Sequence, residues 1–304
     1  MIIIDRTDNN AQPEQNGECI KVQAPVLPIV ETKQEYFCPC DVEDCEYINK
    51  VFADTEDADD YKNDKSSFLL RKYINTDSIV ITLEKDGIEV ATINNNDLGE
   101  FYNGFTIQPD YIGFIADWRK IMLAYGVGDY QFKFDKTIIG VNSVDYSIKY
   151  YLLPFTNENA DRTTRMEWTQ NGSIRSSIFD FTGLGWYQQY RFNGKFWKET
   201  PTIEVDNYLN QDYKLEQIQD KLTFEYELNI DPIPKEIGEP IINDGLLANT
   251  INITDYNLDN YKNYIKFNVQ PVSITGSDEW DRYKRKQFLI TFTKRIDNHI
   301  KTNY

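Results

Sequence analysis

Histidine is almost missing: His299, near the end of the chain, is the single one among 304 residues. A Ser-His-Asp or Cys-His arrangement would have to use it. The charged tail around it reads as exposed, so nucleophilic catalysis of that kind is not expected. Phosphate-cradling loops are also missing: there is no G-x-x-x-x-G-K-[ST], and no G-x-G-x-x-G that opens a helix. No catalytic residue and no cofactor is therefore expected. No apolar run approaches the ~20 residues of a membrane helix. The opening Met1-Ile2-Ile3-Ile4-Asp5-Arg6 lacks the basic start of a secretory signal, and polar Asp8-Asn9-Asn10 follows at once. A soluble protein made in the cytoplasm, with no membrane partner, is the expectation.

Positive charge is scarce. Lys and Arg number 32 against 49 Asp and Glu, which leaves a formal charge of −17 and a pI near 4.5. Phosphate backbones and anionic lipid repel such a surface, so direct sequence-specific nucleic-acid binding is not expected. The basic run Arg282-Tyr283-Lys284-Arg285-Lys286 reads as a solvated strand face. Carboxylates are plentiful, and a glycosidase needs only two of them across a cleft. The tryptophans Trp118, Trp168, Trp186, Trp197 and Trp280 could stack on sugars, but core and interface anchoring is the commoner use of Trp in β proteins.

Aromatic residues make up 14% of the chain, with 21 Tyr and 17 Phe, which a disordered chain does not carry. Tyr, Phe, Ile, Val and Thr suit a pleated, half-buried surface. The fold class expected is mainly β with a few short helices, β-sandwich-like or α+β. Two domains are expected, residues 66–154 and 155–304, with the polar break Pro154–Asp161 between them, and residues 1–65 form an N-terminal arm and a Cys-rich, acidic segment. Ile79–Lys85, the turn Asp86-Gly87 and Ile88–Ile93 form a hairpin. A plain two-residue turn would set Leu83 opposite Val90, Ile81 opposite Thr92 and Glu84 opposite Glu89. A helix over 117–125 follows, capped by Asp117, with Trp118, Ile121, Met122 and Tyr125 as its stripe and Gly126 as its stop. Further strands are expected at Tyr130–Phe134, Tyr146–Leu153, Thr164–Thr169, Trp186–Phe192, Thr202–Asn207, Lys221–Ile230, Thr250–Thr254, Ile265–Val269 and Gln287–Lys294. Pro232 and Pro234 should end the long strand and start a helical segment near 234–247. Both halves read as strands, one short helix, then strands, a hint of two similar domains.

The first 65 residues stand apart. They hold all four cysteines, Cys19, Cys38, Cys40 and Cys45. Four thiolates could hold a structural zinc. The spacing C-x18-C-x-C-x4-C lacks the usual C-x2-C pairs, and the acidic neighbours Asp41, Glu43 and Asp44 disfavour thiolate. Reduced thiols are the preferred reading. The acidic stretch Asp54–Asp60 lacks the Gly and closing Glu of a calcium loop and reads as a solvated loop. Pro25 and Pro28 bar Val22–Val30 from a central strand, yet Val22, Val26, Leu27, Ile29 and Val30 are too apolar for water. This segment reads as an extended edge strand or as an arm that lies on a neighbouring subunit.

Three stretches carry a family likeness. One is Phe114-Ile115-Ala116-Asp117-Trp118-Arg119-Lys120-Ile121-Met122, followed by Tyr125–Tyr130. The second is Arg165-Met166-Glu167-Trp168-Thr169-Gln170-Asn171-Gly172, followed by Phe179–Gln188. The third is Gln217–Lys221 with Leu246–Asn257. They resemble segments of virion proteins from tailed phages of Bacteroidetes hosts, including the crAss-like group, and span most of the chain from about residue 65. The resemblance implies a role in assembly: a homo-oligomeric ring or collar of the short tail or neck, located in the virion and touching copies of itself and adjacent portal, tail or ring proteins. A peripheral receptor- or carbohydrate-binding tail module is the alternative it leaves open.

Overall fold

A computed structural model of the chain describes residues 29–30, 50–71, 78–94, 97–103, 111–170, 173–174, 179–180, 186–209, 211, 215–234, 238, 241–242, 245–276, 285–294 and 299–302. Strands dominate, with two short α-helices among the described residues, as the composition predicts. None of those helices is long and apolar enough to cross a membrane.

The first half is a two-sheet sandwich. Its larger sheet contains β1 (Ile29–Val30), β2 (Lys50–Ala53), β4 (Ser78–Lys85), β5 (Ile88–Ile93), β8 (Gly128–Ile138), β9 (Val141–Ser147) and β10 (Tyr150–Pro154). Strand β8 is the spine. On one side it pairs with β4, which carries β5; on the other it pairs with β9 and, near its start, with β10. β1 adds to β9, and β2 adds to β10 in parallel. The smaller sheet is β3 (Lys65–Arg71), β7 (Tyr111–Asp117) and β6 (Gly99–Asn103), in that order. Phe68 of β3 meets Phe132 of β8 at 4.8 Å between ring centroids, so the two sheets close on an aromatic core. Helix α1 (Trp118–Tyr125) seals one end. Trp118 is fully buried against Tyr150, and its indole N–H donates to Ser66 Oγ at 2.9 Å.

The second half is a barrel. After the short helix α2 (Asn157–Ala160) come β11 (Thr163–Gln170), the small hairpin β12 (Ser173–Ile174) and β13 (Phe179–Asp180), β14 (Trp186–Phe196), β15 (Thr200–Leu209), β16 (Leu215–Pro234), β17 (Thr250–Asp255), β18 (Lys266–Gly276), β19 (Arg285–Lys294) and β20 (His299–Thr302). Pairing runs β14-β11-β17-β18-β19-β16, and β16 returns to β14 through Gly194↔Ile230 and Phe196↔Leu228. Six antiparallel strands thus close on themselves, which removes their edges. Gly194 permits the closure, since a Cβ there would sit 2.3 Å from the Asn229 carbonyl oxygen. Thr164, Met166 and Trp168 of β11 face inward, as do their partners Phe192, Ile253 and Ile251, and all are buried. The interior is packed core, not a channel. A 3₁₀ turn at Gly245–Leu247 closes over Met166 and Trp168. The first half of β16 runs on between β15 and β20 as a three-stranded ribbon outside the barrel.

Several expectations need correction. The hairpin turn forms, with Asp86 at φ 51 and Gly87 at φ 78, and Glu84 faces Glu89. Beyond that pair a bulge at Val90 shifts the register, so Leu83 faces Ala91 and Ile81 faces Ile93. Tyr146–Leu153 is two strands, because β9 and β10 use different stretches of β8. Pro232 does not end the long strand. It lies where the β16–β19 register breaks between Ile230 and Ile233, so its missing N–H leaves no ladder bond unmade. Pro234 still belongs to β16, and of the expected helical segment the described residues Gly238, Ile241 and Ile242 are helical. The halves are unlike, one a sandwich and one a barrel. His299 lies in β20, paired with Leu222, rather than in a free tail.

Candidate functional site

Alternation along β11 sends Met166 and Trp168 into the barrel and Arg165 and Glu167 out of it. On the neighbouring β14, Arg191 stands opposite Arg165, and Gln189 opposite Glu167. Lys266 of β18 joins the same outer row through Thr254 of β17. A strand face with this composition belongs in water, yet Arg165 and Glu167 are each 1% exposed. The segment Asp60–Ser67 of the first half covers them.

Asp64 supplies the main contact. Its carboxylate accepts a fork from Arg191, Nε to Oδ2 and Nη2 to Oδ1, both at 2.7 Å. Asp64 Oδ2 also accepts the Phe52 N–H at 2.8 Å, which fixes the carboxylate to β2. The Arg191 guanidinium lies 4.0 Å from the Tyr256 ring centroid and 4.9 Å from that of Phe52, so one ring from each half packs on it. Arg165 pairs with Glu167 Oε1 at 2.6 Å, and its Nη1 donates to the Asp60 carbonyl at 2.8 Å. Lys266 bridges Glu167 and Asp60, the latter at 2.9 Å. Three cations, Arg165, Arg191 and Lys266, thus meet three anions, Asp60, Asp64 and Glu167. Neutral contacts extend the seam: Tyr256 Oη donates to the Tyr61 carbonyl at 2.6 Å, Ser67 Oγ to the Tyr187 carbonyl at 2.8 Å, and the Lys65 N–H to Gln189 Oε1.

The electrostatics hold Lys266 and Asp60 in their charged forms. Burial works against the charge on Lys266, but Glu167 and Asp60 outweigh it and raise its pKa. Burial likewise raises Asp60, and Arg165 with Lys266 more than reverses that, leaving it below the ordinary carboxylate value. Burial pushes Tyr187 far up. None of these is poised to trade a proton near neutral pH, and the seam is chemically a clasp. The buried carboxylate of Asp255 differs. Burial raises it, against donors from Asn260 at 2.6 Å, Asn257 and Thr164 at 3.2 Å. At 1% exposure with those donors around it, Asp255 has no open face for a substrate.

The acidic stretch is therefore more than a solvated loop. Asp54 Oδ1 accepts the N–H groups of Glu56 and Asp57, Lys62 bridges Asp54 and Asp57, and Asp60 joins the clasp. Lys50–Asp64, set apart from both domains by its sequence, is built into the first sheet and the seam. Cys19, Cys38, Cys40 and Cys45 lie outside the described residues, as do Val22, Val26 and Leu27. Ile29 and Val30 pair with Ser147 and Tyr146 of the same chain's β9. Among the described residues no group of three or more His, Cys, Asp or Glu is set to hold a metal ion. Trp118 and Trp168 are core residues; Trp197 is half-buried, with Lys262 Nζ 4.0 Å from its ring centroid.

Sequence reasoning missed the clasp. The T-R-M-E-W alternation marks Arg165 and Glu167 as one outward face, but nothing local says that Asp64, about a hundred residues earlier, covers it. No family model, no curated protein and no solved structure matches this chain.

Proposed function

We propose that this chain is a structural component of a tailed-phage virion, one subunit of an oligomeric ring in the tail or neck below the portal, acting by assembly rather than by turnover. The observation that carries the reading is the asymmetry of the first sheet. One edge is completed by a strand from the N-terminal segment, while β5 at the other edge has a strand partner on one side only among the described residues. Two unlike edges on one body suit head-to-tail contacts, and such contacts close into rings when the rotation allows. The clasp supports the same reading, since it ties sandwich and barrel into one block of the stiffness a ring subunit needs. The likeness of the quoted segments to virion proteins supplies the setting. A charge of −17 opposes association of free subunits and suits a part that lines a DNA route, where DNA must slide without sticking.

The test is to trace the chain in an electron-microscopy map of the virion from which the gene comes. Several copies around the tail axis are expected. Density for the chain at a fibre tip only, or none in the particle, would sink the reading. Purified protein should also be inert towards host polysaccharide.

A further inference from the structure

We infer that a groove beside β5 receives the Val22–Val30 segment of a second copy of this chain; the inference rests on the ring reading above and names its contact surface. Among the described residues β5 is paired on one side only, with β4. Its sequence, Ile88–Ile93, contains neither Lys nor Pro; Glu89 and the bulge at Val90 blunt its first half and leave Ala91–Ile93 as the open stretch of the edge. Alongside runs a groove of about 490 Å³, whose wall mixes apolar Ala91, Ile93, Leu98 and Leu123 with the charged Asp97 and Lys120. Leu123 is 57% exposed. It lies off the stripe that packs Trp118, Ile121 and Met122 into the core, so packing within the subunit does not explain an apolar residue there.

The occupant is argued from chemistry and from place. Val22–Val30 has no charged residue, and its apolar side chains suit the Ala91, Ile93, Leu98 and Leu123 part of the wall, while Lys21 and Glu31 at its ends are opposite in sign to Asp97 and Lys120. Its last two residues are seen as β1 on β9. Between β1 and the chain's own β5 stand β9, β8 and β4, a distance of roughly 19 Å at about 4.8 Å per strand. A second copy placed edge to edge brings its β5 directly beside β1. One extended segment then serves two sheets, with Ile29–Val30 on its own β9 and the preceding residues on the neighbour's β5. The contact is heterologous and repeats around an axis. Pro25 and Pro28 are three residues apart, so in a straight strand their missing N–H groups fall on opposite sides. The backbone ladder is interrupted in either register, and the side chains of Val22, Val26 and Leu27 must supply much of the binding.

The test uses the full chain. Mass photometry at low and high salt, alone and with virion extract, compares wild type with Leu123→Asp and with a Val26→Asp, Leu27→Asp double variant, each checked for folding by circular dichroism. Wild type should oligomerise, and each variant should weaken association at least tenfold. A photo-crosslinking amino acid at position 123, in a mixture of ¹⁴N and ¹⁵N chains, should join the peptide containing Val22–Val30 across isotopes. Variants that oligomerise like wild type, or cross-links confined to chains of one isotope, would overturn the groove assignment and leave the ring reading standing. Wild type that stays monomeric in every mixture would remove both.

Discussion

Arg165 and Arg191 face each other across two strands with almost no water, an arrangement that repels unless anions intervene. Asp64 and Glu167 intervene, and the pattern is of mutual dependence rather than of net gain. A buried pair of this kind often contributes little over an apolar replacement, whereas removing one member strands the other's charge. Asp64→Ala should therefore cost about 3–5 kcal/mol in urea unfolding, because the Arg191 fork loses both acceptors. Asp64→Leu combined with Arg191→Met should cost much less than Asp64→Ala alone. A loss below about 1 kcal/mol for Asp64→Ala would mean that water or Glu167 takes over, and that the seam is looser than its geometry.

At the scale of elements, what was legible in the sequence is what is local. Helix α1 carries its own start, stripe and stop: Asp117 Oδ1 accepts the N–H groups of Arg119 and Lys120 at 2.9 and 3.2 Å, and Gly126 at φ 78 returns its N–H to the Met122 carbonyl. Asp117→Ala should lower stability by about 1 kcal/mol, read as a shift of the urea midpoint with the slope unchanged. No shift would mean that burial of Trp118 alone holds the turn. The Asp86-Gly87 turn was equally readable, since a type I′ turn asks for those residues. The bulge at Val90 was not, because it depends on how β4 and β5 settle while β8 pairs with the other side of β4. The barrel was illegible for a similar reason. Each strand shows in its own alternation, but closure rests on three pairs between β14 and β16, over thirty residues apart in the chain. Pro232 misled because a proline at a bulge breaks nothing.

For the whole molecule, the seam decides whether sandwich and barrel behave as one body. Asp60 and Asp54 of the first half and Asp255 of the barrel respond to acid in opposite senses. Asp60 lies below its ordinary value, since Arg165 and Lys266 outweigh burial, and Asp54 lies below its own, since the Glu56 and Asp57 N–H groups and Lys62 do the same. A carboxylate lowered in the folded state adds stability above its unfolded value, and loses it as pH falls through the folded one, here below about pH 4. Asp255, raised by burial, runs the other way: its charge costs the barrel stability at neutral pH, and acid relieves that cost. Acid should thus loosen the segment that clasps the two halves while sparing the barrel. Hydrogen exchange read strand by strand can see this. At pH 7 the amides of β8 and β17 should open with one common free energy, and near pH 3 β8 should open first. An Asp60→Asn, Asp64→Asn variant should show the same split at pH 7, because it removes the two anions that the first half contributes to the clasp. If that variant still opens as a single unit, the apolar contacts of Tyr256 and Phe52 hold the halves together without the charges, and the clasp is not what makes the subunit rigid.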